Sequence, residues 1–476
     1  MKRLFSWPVL CLVSFAVLFT YLSYFHLGDK LIWYDESGQF FIAKGLNHYS
    51  DPYSEPCGLG EVIQNNCDYN KDPGGFGVLL HFWTMISDSV WFLRLLPYLF
   101  FVSFLFFSYR IAKLVTGDRS VAIATASVVL LVFHTRLAEI RPYSMELFGL
   151  SIATYALLSM DFRCPIRKLV LFSLLLCFFC TSRYSFILDS FAIVLFLAWN
   201  WWLSKDGKFI LRSVSFGLPL LLTVIAIYAV TTFYQNKDFQ QLHYLTYLSD
   251  KPIAFLFPLS ILYYGIVGLL FYTYRRGGKL FLLNVFTAVL ATVHFGASVM
   301  GVHPWGLDPR SCSVIYAFII TYVFVLYDRL RSSARLVNIS LIAFCVLPVV
   351  VLSKGDFFKR DCRKYKTEKE AIRVVGENAT QTVYVFGNLN PSLRYLFEYG
   401  ILKDKAKSLG YPDRFVLGKG IKHNDPLFGV AKSSGLSDYN CDIYIIASTL
   451  DSTLYERVEG YNSVFRRRPQ SATPQE

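Results

Sequence analysis

The feature that most constrains this chain is a succession of long apolar blocks separated by short polar ones. A membrane-spanning helix needs about 20 mostly apolar residues. About eleven stretches meet that measure, near 5–27, 90–110, 120–136, 143–160, 168–182, 185–203, 213–233, 253–273, 280–300, 308–327 and 335–353. Composition agrees: 54% of the 476 residues are hydrophobic and 17% are charged, against roughly 45–50% and about 25% in soluble domains. The fold class expected is therefore an α-helical polytopic membrane protein. The block 76–87 is too short to span and reads as an amphipathic helix lying at the interface over 76–88.

The basic residues give the expected orientation. Lys2 and Arg3 precede the first span, which has no small-residue cleavage site and so reads as an uncleaved anchor. Alternate loops then carry Arg110, Lys113 and Arg119; Arg163, Arg167 and Lys168; Lys205, Lys208 and Arg212; Arg275, Arg276 and Lys279; and Arg329, Arg331 and Arg335. Every second loop is basic, as cytoplasmic loops are. This predicts an N-terminus inside and a C-terminus outside. Much of the net charge of +13 is then topological and does not argue for a nucleic-acid partner.

Residues 1–353 form the expected transmembrane module, with a long first external loop over 28–75. Residues 354–465 read as a small extracytoplasmic α/β domain. A polar helix is expected over 367–377, a strand over 382–386 and a helix from Pro391, with further strands near 414–417 and 442–446. The tail 466–476 is expected to be disordered. Six cysteines (Cys11, Cys164, Cys177, Cys180, Cys312 and Cys345) lie in or beside spans as small apolar fillers. The even number left in each external region suggests two disulfides, Cys57–Cys67 and Cys362–Cys441.

Some charges sit on the side where the orientation rule disfavours them. Arg94, Arg136, Arg141, Arg183 and Arg310 map to the outer ends of different spans, with His81, His134 and His303, and with Asp35, Glu36, Glu139 and Asp189. Each alone is as readily a snorkelling anchor or a solvated cap, and Asp35 alone could cap the helix after it. Together the arginines call for an anionic partner. Phosphate, which arginine grips through a bidentate fork, is the one available at this depth. The midplane is nearly empty of charge, Asp189 being the nearest exception, and there is no internal repeat. Transporters have the opposite pattern.

Four ordered motifs resemble a known family. Tyr34-Asp35-Glu36 follows the first span and runs through Ala43-Lys44-Gly45-Leu46. Asp72-Pro73-Gly74-Gly75 leads into Leu79-Leu80-His81-Phe82-Trp83. Phe92-Leu93-Arg94-Leu95-Leu96-Pro97 opens the second span, and Glu139-Ile140-Arg141-Pro142-Tyr143 opens the fourth. In order and spacing they resemble GT-C glycosyltransferases, in the branch of protein O-mannosyltransferases, lipid A aminoarabinose transferases and bacterial lipopolysaccharide core transferases. The likeness covers roughly residues 1–160, and Asp308-Pro309-Arg310 resembles a later Arg-Tyr-like element. One departure is that the family's His-Pro-Pro element reads Asp72-Pro73-Gly74 here.

The resemblance implies an inverting transfer of a sugar from a polyprenyl phosphate to a glycan, lipid or protein acceptor at the extracytoplasmic face of a bacterial inner membrane. It makes Asp35 the base on the acceptor hydroxyl and Glu36 its helper. Arg141 and Arg310 are the first candidates for the lipid phosphate, followed by Arg94 and Lys44. Glu139 is expected to hold Arg141, and Tyr143 and Trp305 either stack on a sugar or belong to the interface belt. No cofactor is implied. A divalent cation at Asp35 and Glu36 would have too few ligands, and no metal site is expected. Two other classes remain open: a flippase or transporter of lipid-linked saccharides, and an O-antigen polymerase or ligase.

Overall fold

The computed structural model describes residues 7–47, 53–70, 72–235, 265, 268, 278–300, 312–353, 369, 372–373, 383–386, 391–410, 443–446, 455–457 and 464–467. Among the described residues up to 353, the helices are α1 (Trp7–Gly28), α2 (Tyr34–Ala43), α3 (Leu59–Tyr69), α4 (Gly75–Thr84), α5 (Val90–Thr116), α6 (Arg119–Phe133), α7 (Tyr143–Ser159), α8 (Ile166–Cys180), α9 (Tyr184–Leu203), α10 (Phe209–Ile227), α11 (Gly278–Val299), α12 (Cys312–Leu330) and α13 (Ala334–Ser353). Among the described residues, seven helices are long and apolar enough to cross a membrane. They are α1, α5, α6 with its 3₁₀ extension to Arg136, α9, α10 with its π-turn extension to Thr232, α11 and α12. The chain is a multi-pass helical membrane protein. The expected spans at 143–160 and 168–182 appear as α7, with 17 residues, and α8, with 15. At 1.5 Å per residue α7 lies at the lower end of the roughly 17–25 residues that a crossing uses and α8 falls just below it. Most of the expected span 253–273 lies outside the described residues; residues 265 and 268 within it are helical.

Local sequence sets the helix ends. Gly117 turns the chain out of α5 with φ +74°, a conformation glycine adopts without strain. Asp118 then caps α6, its carboxylate accepting the N–H groups of Ser120 at 2.7 Å and Val121 at 3.3 Å. Between helices, hydroxyls and small residues make the contacts, as expected where no hydrophobic force separates helix from lipid. Ser108 meets Tyr316 at 2.9 Å, Thr287 meets Thr321 at 2.9 Å, and Ser173 donates to the Phe216 carbonyl at 2.6 Å. Gly149 lies where α7 meets α8 and α9, and a Cβ there would stand 2.6 Å from Phe179 and 2.7 Å from Phe186.

The chain packs as two units. One comprises Met1–Leu27, Ile63–Leu79 and Arg94–Phe358; the other comprises Gly28–Val62, Leu80–Leu93 and Lys359–Glu476. This differs from the expected boundary at 353, because the C-terminal residues share a unit with two stretches of the N-terminal region. Within that second unit, Pro391–Glu398 is helical, as expected from Pro391. The Phe40 ring lies 5.0 Å from both Tyr395 and Tyr399. The Tyr395 hydroxyl donates to the Asp88 carbonyl at 2.7 Å, and Arg394 pairs with Glu398 at 2.8 Å while donating to the Asn47 carbonyl at 3.0 Å.

The strands β1 (Val383–Phe386), β2 (Ile443–Ile446), β3 (Tyr455–Arg457) and β4 (Val464–Arg467) form one mixed sheet in the order β1-β2-β4-β3. The β1–β2 pair is parallel and the other two pairs are antiparallel. Arg466 and Arg467, expected in a disordered tail, are thus paired in β4. The sequence pattern stops at the arginine run, but the ladder continues through it. The strand expected near 414–417 and most of the helix expected over 367–377 lie outside the described residues.

The expected disulfide Cys57–Cys67 is not formed: both are free thiols, Cys57 exposed and Cys67 buried. Cys67 faces inward from α3, 3.6 Å from the Val230 carbonyl, and burial, with Asp68 nearby, pushes its thiol above the usual range. Cys57 instead contacts the Glu55 carbonyl at 3.7 Å. Cys362 and Cys441 lie outside the described residues.

Candidate functional site

Asp35 and Glu36 stand in the first turn of α2, whose N-cap is Trp33. The two carboxylates differ. Glu36 is fully buried, and its Oε2 accepts the Trp33 N–H at 3.2 Å. That is the reciprocal half of a capping box, made without a Ser or Thr at the cap. The helix begins one residue before Asp35, so the capping bond open to Asp35 as an alternative role is made by Glu36. Asp35 is half-buried in the same turn, where the helix dipole favours a carboxylate. Ser37 closes the turn with bonds to the carbonyls of Trp33 at 3.0 Å and Tyr34 at 2.9 Å.

Lys44, expected to bind phosphate, is engaged elsewhere in its own unit. Its Nζ lies 2.6 Å from the Asp88 carboxylate with the side chain 8% exposed, and 5.8 Å from the Phe40 ring. His81 bonds the Ala43 carbonyl at 2.7 Å and helps to end α2.

In the first unit three arginines converge. After α6 the chain makes the 3₁₀ turn His134–Arg136. The segment down to Tyr143 is then closed by a bond from the Ser144 hydroxyl to the Arg136 carbonyl at 2.6 Å. The Glu139 carboxylate receives Arg136, and the Glu139 carbonyl accepts the Arg141 N–H at 2.7 Å. Glu139 thus grips Arg136 with its side chain and was expected to grip Arg141. A spacing of three residues across the turn suits the carboxylate better than one of two. The guanidinium carbons of Arg136 and Arg183 lie 4.0 and 4.4 Å from the Tyr143 ring centroid. The ring is buried and covered by cations, which leaves it no role in stacking on a sugar.

Glu146, which sequence reasoning did not single out, anchors the cluster. It is fully buried one turn into α7. Its oxygens accept from Arg183 Nη1 at 2.6 Å, Ser185 at 2.6 Å and Ser313 at 2.7 Å. This ties α7 to the starts of α9 and α12. Burial alone would lower the Arg183 pKa, but Glu146 and Asp72 outweigh it and hold the guanidinium above its ordinary value. A lone carboxylate inside an apolar run was the available signal.

Asp72 completes the cluster. Its Oδ2 lies 3.8 Å from Arg141 Nη2 and its Oδ1 lies 3.8 Å from Arg183 Nε, both beyond hydrogen-bond reach. The backbone beneath it is fixed. Asn66 and Gln235 donate to the Asp72 carbonyl at 2.9 and 3.0 Å, and the Gly75 N–H donates to the Thr181 carbonyl at 2.9 Å. Gly75 sits against Thr181 where a Cβ would come within 2.0 Å of the hydroxyl.

Arg94 is wholly buried on α5, so it is no snorkelling anchor. Arg183, with its side chain 12% exposed, is not one either. Deeper among the helices, Asp189 and His294 are buried and meet at 2.7 Å. His294 was not singled out from the sequence, although a histidine in an apolar run was the available signal. Arg310, Trp305 and His303 lie outside the described residues. Among the described residues no group of three or more His, Cys, Asp or Glu side chains is placed to hold a metal. No protein-family model matches this chain, and no curated protein matches it.

Proposed function

We propose that this protein is an integral membrane glycosyltransferase. In this reading it moves a sugar from a polyprenyl phosphate to a glycan, lipid or protein acceptor at the extracytoplasmic face of a bacterial inner membrane. It would cross that membrane eleven times, N-terminus inside and C-terminus outside. The observation that carries the reading is the convergence of Arg136, Arg141 and Arg183 around Tyr143, on one of the motifs through which the sequence resembles GT-C enzymes.

In the reaction, the acceptor oxygen forms a bond to the anomeric carbon as the bond from that carbon to the phosphate oxygen breaks. The electron pair leaves with the phosphate, and Asp35 takes the acceptor proton during the same step, because a carboxylate is too weak a base to remove it beforehand. Preorganised cations lower the barrier for such a departing anion, by about 3 kcal/mol for one strong donor. Arg141 carries that role among the described residues, and Arg310 is retained with it. Lys44 is dropped from the role because of Asp88, and Glu36 supports Asp35 by fixing the turn it stands on. The test is transfer from lipid-linked sugar in membranes. Asp35→Asn is expected to reduce transfer by a factor of about 10² or more, and full activity in that variant would remove Asp35 as the base.

A second reading, transport of a lipid-linked saccharide, is favoured by one observation. The buried pair Asp189–His294 is the kind of intramembrane couple that relays protons in transporters. Under that reading Asp35→Asn leaves translocation intact and the glycosidic bond is never cleaved.

A further inference from the structure

Asp72 is the group that neither the family resemblance nor the transfer reaction accounts for. Arg136 is held by Glu139, and Arg183 by Glu146 at 2.6 Å. Asp72 faces both Arg141 and Arg183 from 3.8 Å, and among the described residues its buried Oδ2 makes no hydrogen bond. A carboxylate free to optimise an ion pair closes to about 2.7–2.9 Å. This one is kept back by its backbone: two side-chain amides hold its carbonyl, and Gly75 is wedged against Thr181. Among the described residues, the ion pairs of the three arginines are with three carboxylates, Asp72, Glu139 and Glu146. An anion entering at Arg141 therefore meets a fixed negative charge at close range.

That arrangement discriminates by charge. A phosphodiester carries one negative charge, and a phosphomonoester carries close to two at neutral pH. We infer that Asp72 acts as a charge selector beside Arg141, admitting a singly charged lipid phosphodiester and disfavouring the doubly charged monoester. The inference rests on the transfer reading, in which the donor is the diester and the lipid product the monoester. Breaking the sugar–phosphate bond leaves the electron pair on the phosphate and raises its charge by one, so Asp72 repels the product more than the donor. Asp72 is then a specificity-determining and product-releasing residue, taking no proton and forming no bond.

The experiment is equilibrium binding to the full chain in nanodiscs, with a short polyprenyl monophosphate and its methyl diester as probes and inorganic phosphate as a competitor. The wild-type protein is expected to bind the methyl diester more tightly than the monophosphate. Asp72→Asn, which keeps the shape and removes the charge, is expected to tighten the monophosphate on the order of tenfold and to change the diester little. Arg141→Gln is expected to weaken both. Inorganic phosphate that fails to displace the diester assigns the site to a lipid-borne phosphate; displacement at equal concentration overturns that assignment. Equal or tighter binding of the monophosphate by the wild type overturns the selector, as does an unchanged ratio in Asp72→Asn. If the predicted ratios hold but no sugar is transferred, the transfer reading fails and the selector stands. If transfer occurs without the ratios, the reverse is true.

Discussion

Glu146 shows how much one buried carboxylate organises here. Its oxygens hold Arg183, Ser185 and Ser313, so Glu146→Ala leaves a buried guanidinium and two hydroxyls without their acceptor. Removing one partner of a buried pair costs about 3–5 kcal/mol. Glu146→Ala is expected to lower thermal stability in detergent by about 3 kcal/mol, whereas Ser313→Ala alone costs about 1 kcal/mol. Equal, small effects from both would mean that Glu146 is no anchor. Arg141 and Tyr143 were visible in the sequence as a motif, but their true partners were not. Arg183 and Glu146 are 37 residues apart, and only the folding of α7 against α9 brings them together. Asp35 and Glu36 look interchangeable as letters. What separates them is the helix start at Tyr34, which turns Glu36 inward to cap and leaves Asp35 half-buried.

At the level of elements, two glycines carry more than their size suggests. Gly75, at the start of α4, touches Thr181 before α9, and the turn between Asp72 and Gly75 depends on that approach. Gly75→Ala is expected to destabilise the fold by about 1–3 kcal/mol, the usual effect of overpacking, and to shift Asp72 away from Arg141. Gly60 on α3 has nothing within 4 Å of its absent Cβ. Gly60→Ala is therefore expected to be neutral or to stabilise by up to about 1 kcal/mol through helix propensity. Thermal unfolding of the two variants side by side checks the contrast, and equal effects would count against the close approach. Gly149→Ala, pressed on Phe179 and Phe186, is expected to follow Gly75→Ala. The apolar runs revealed most of the helices because burial and lipid select the same residues. They also marked α7 and α8 as short, because the runs 143–160 and 168–182 begin at Pro142 and near Pro165 and stop where Asp161 and Thr181-Ser182-Arg183 bring in polar residues.

At the scale of the whole molecule, the sequence suggested a C-terminal domain separable at 353, whereas the packing unites it with 28–62 and 80–93. Local pattern was enough to place β1, β2 and the helix at Pro391, but no periodicity announces a contact between residues more than 300 positions apart. Phe40, Lys44 and Asp88 of the N-terminal stretches share one cluster with Arg394, Tyr395, Glu398 and Tyr399. The turn that carries Asp35 thus rests on residues from the far end of the chain. The cluster also has a titration signature. Burial first, then the carboxylates of Glu398 and Asp88, push the Tyr399 phenol up to about 12 against the opposing pull of Arg394. The folded unit then holds this proton at pH values where the unfolded chain, with an ordinary phenol near 10, has released it. Stability is unaffected below pH 10, falls as pH rises from 10 towards 12, and levels off above that. Limited proteolysis within 28–62 of the full chain should therefore accelerate between pH 10 and 11.5, with a smaller change in Tyr399→Phe, which keeps the ring and has no proton to lose. Tyr395→Ala, which removes the edge contact to Phe40 and the bond to Asp88, should expose the same region at neutral pH. If cleavage within 28–62 were indifferent to both substitutions, the C-terminal residues would not support the turn at Asp35, and a domain separable at 353 would be the better description.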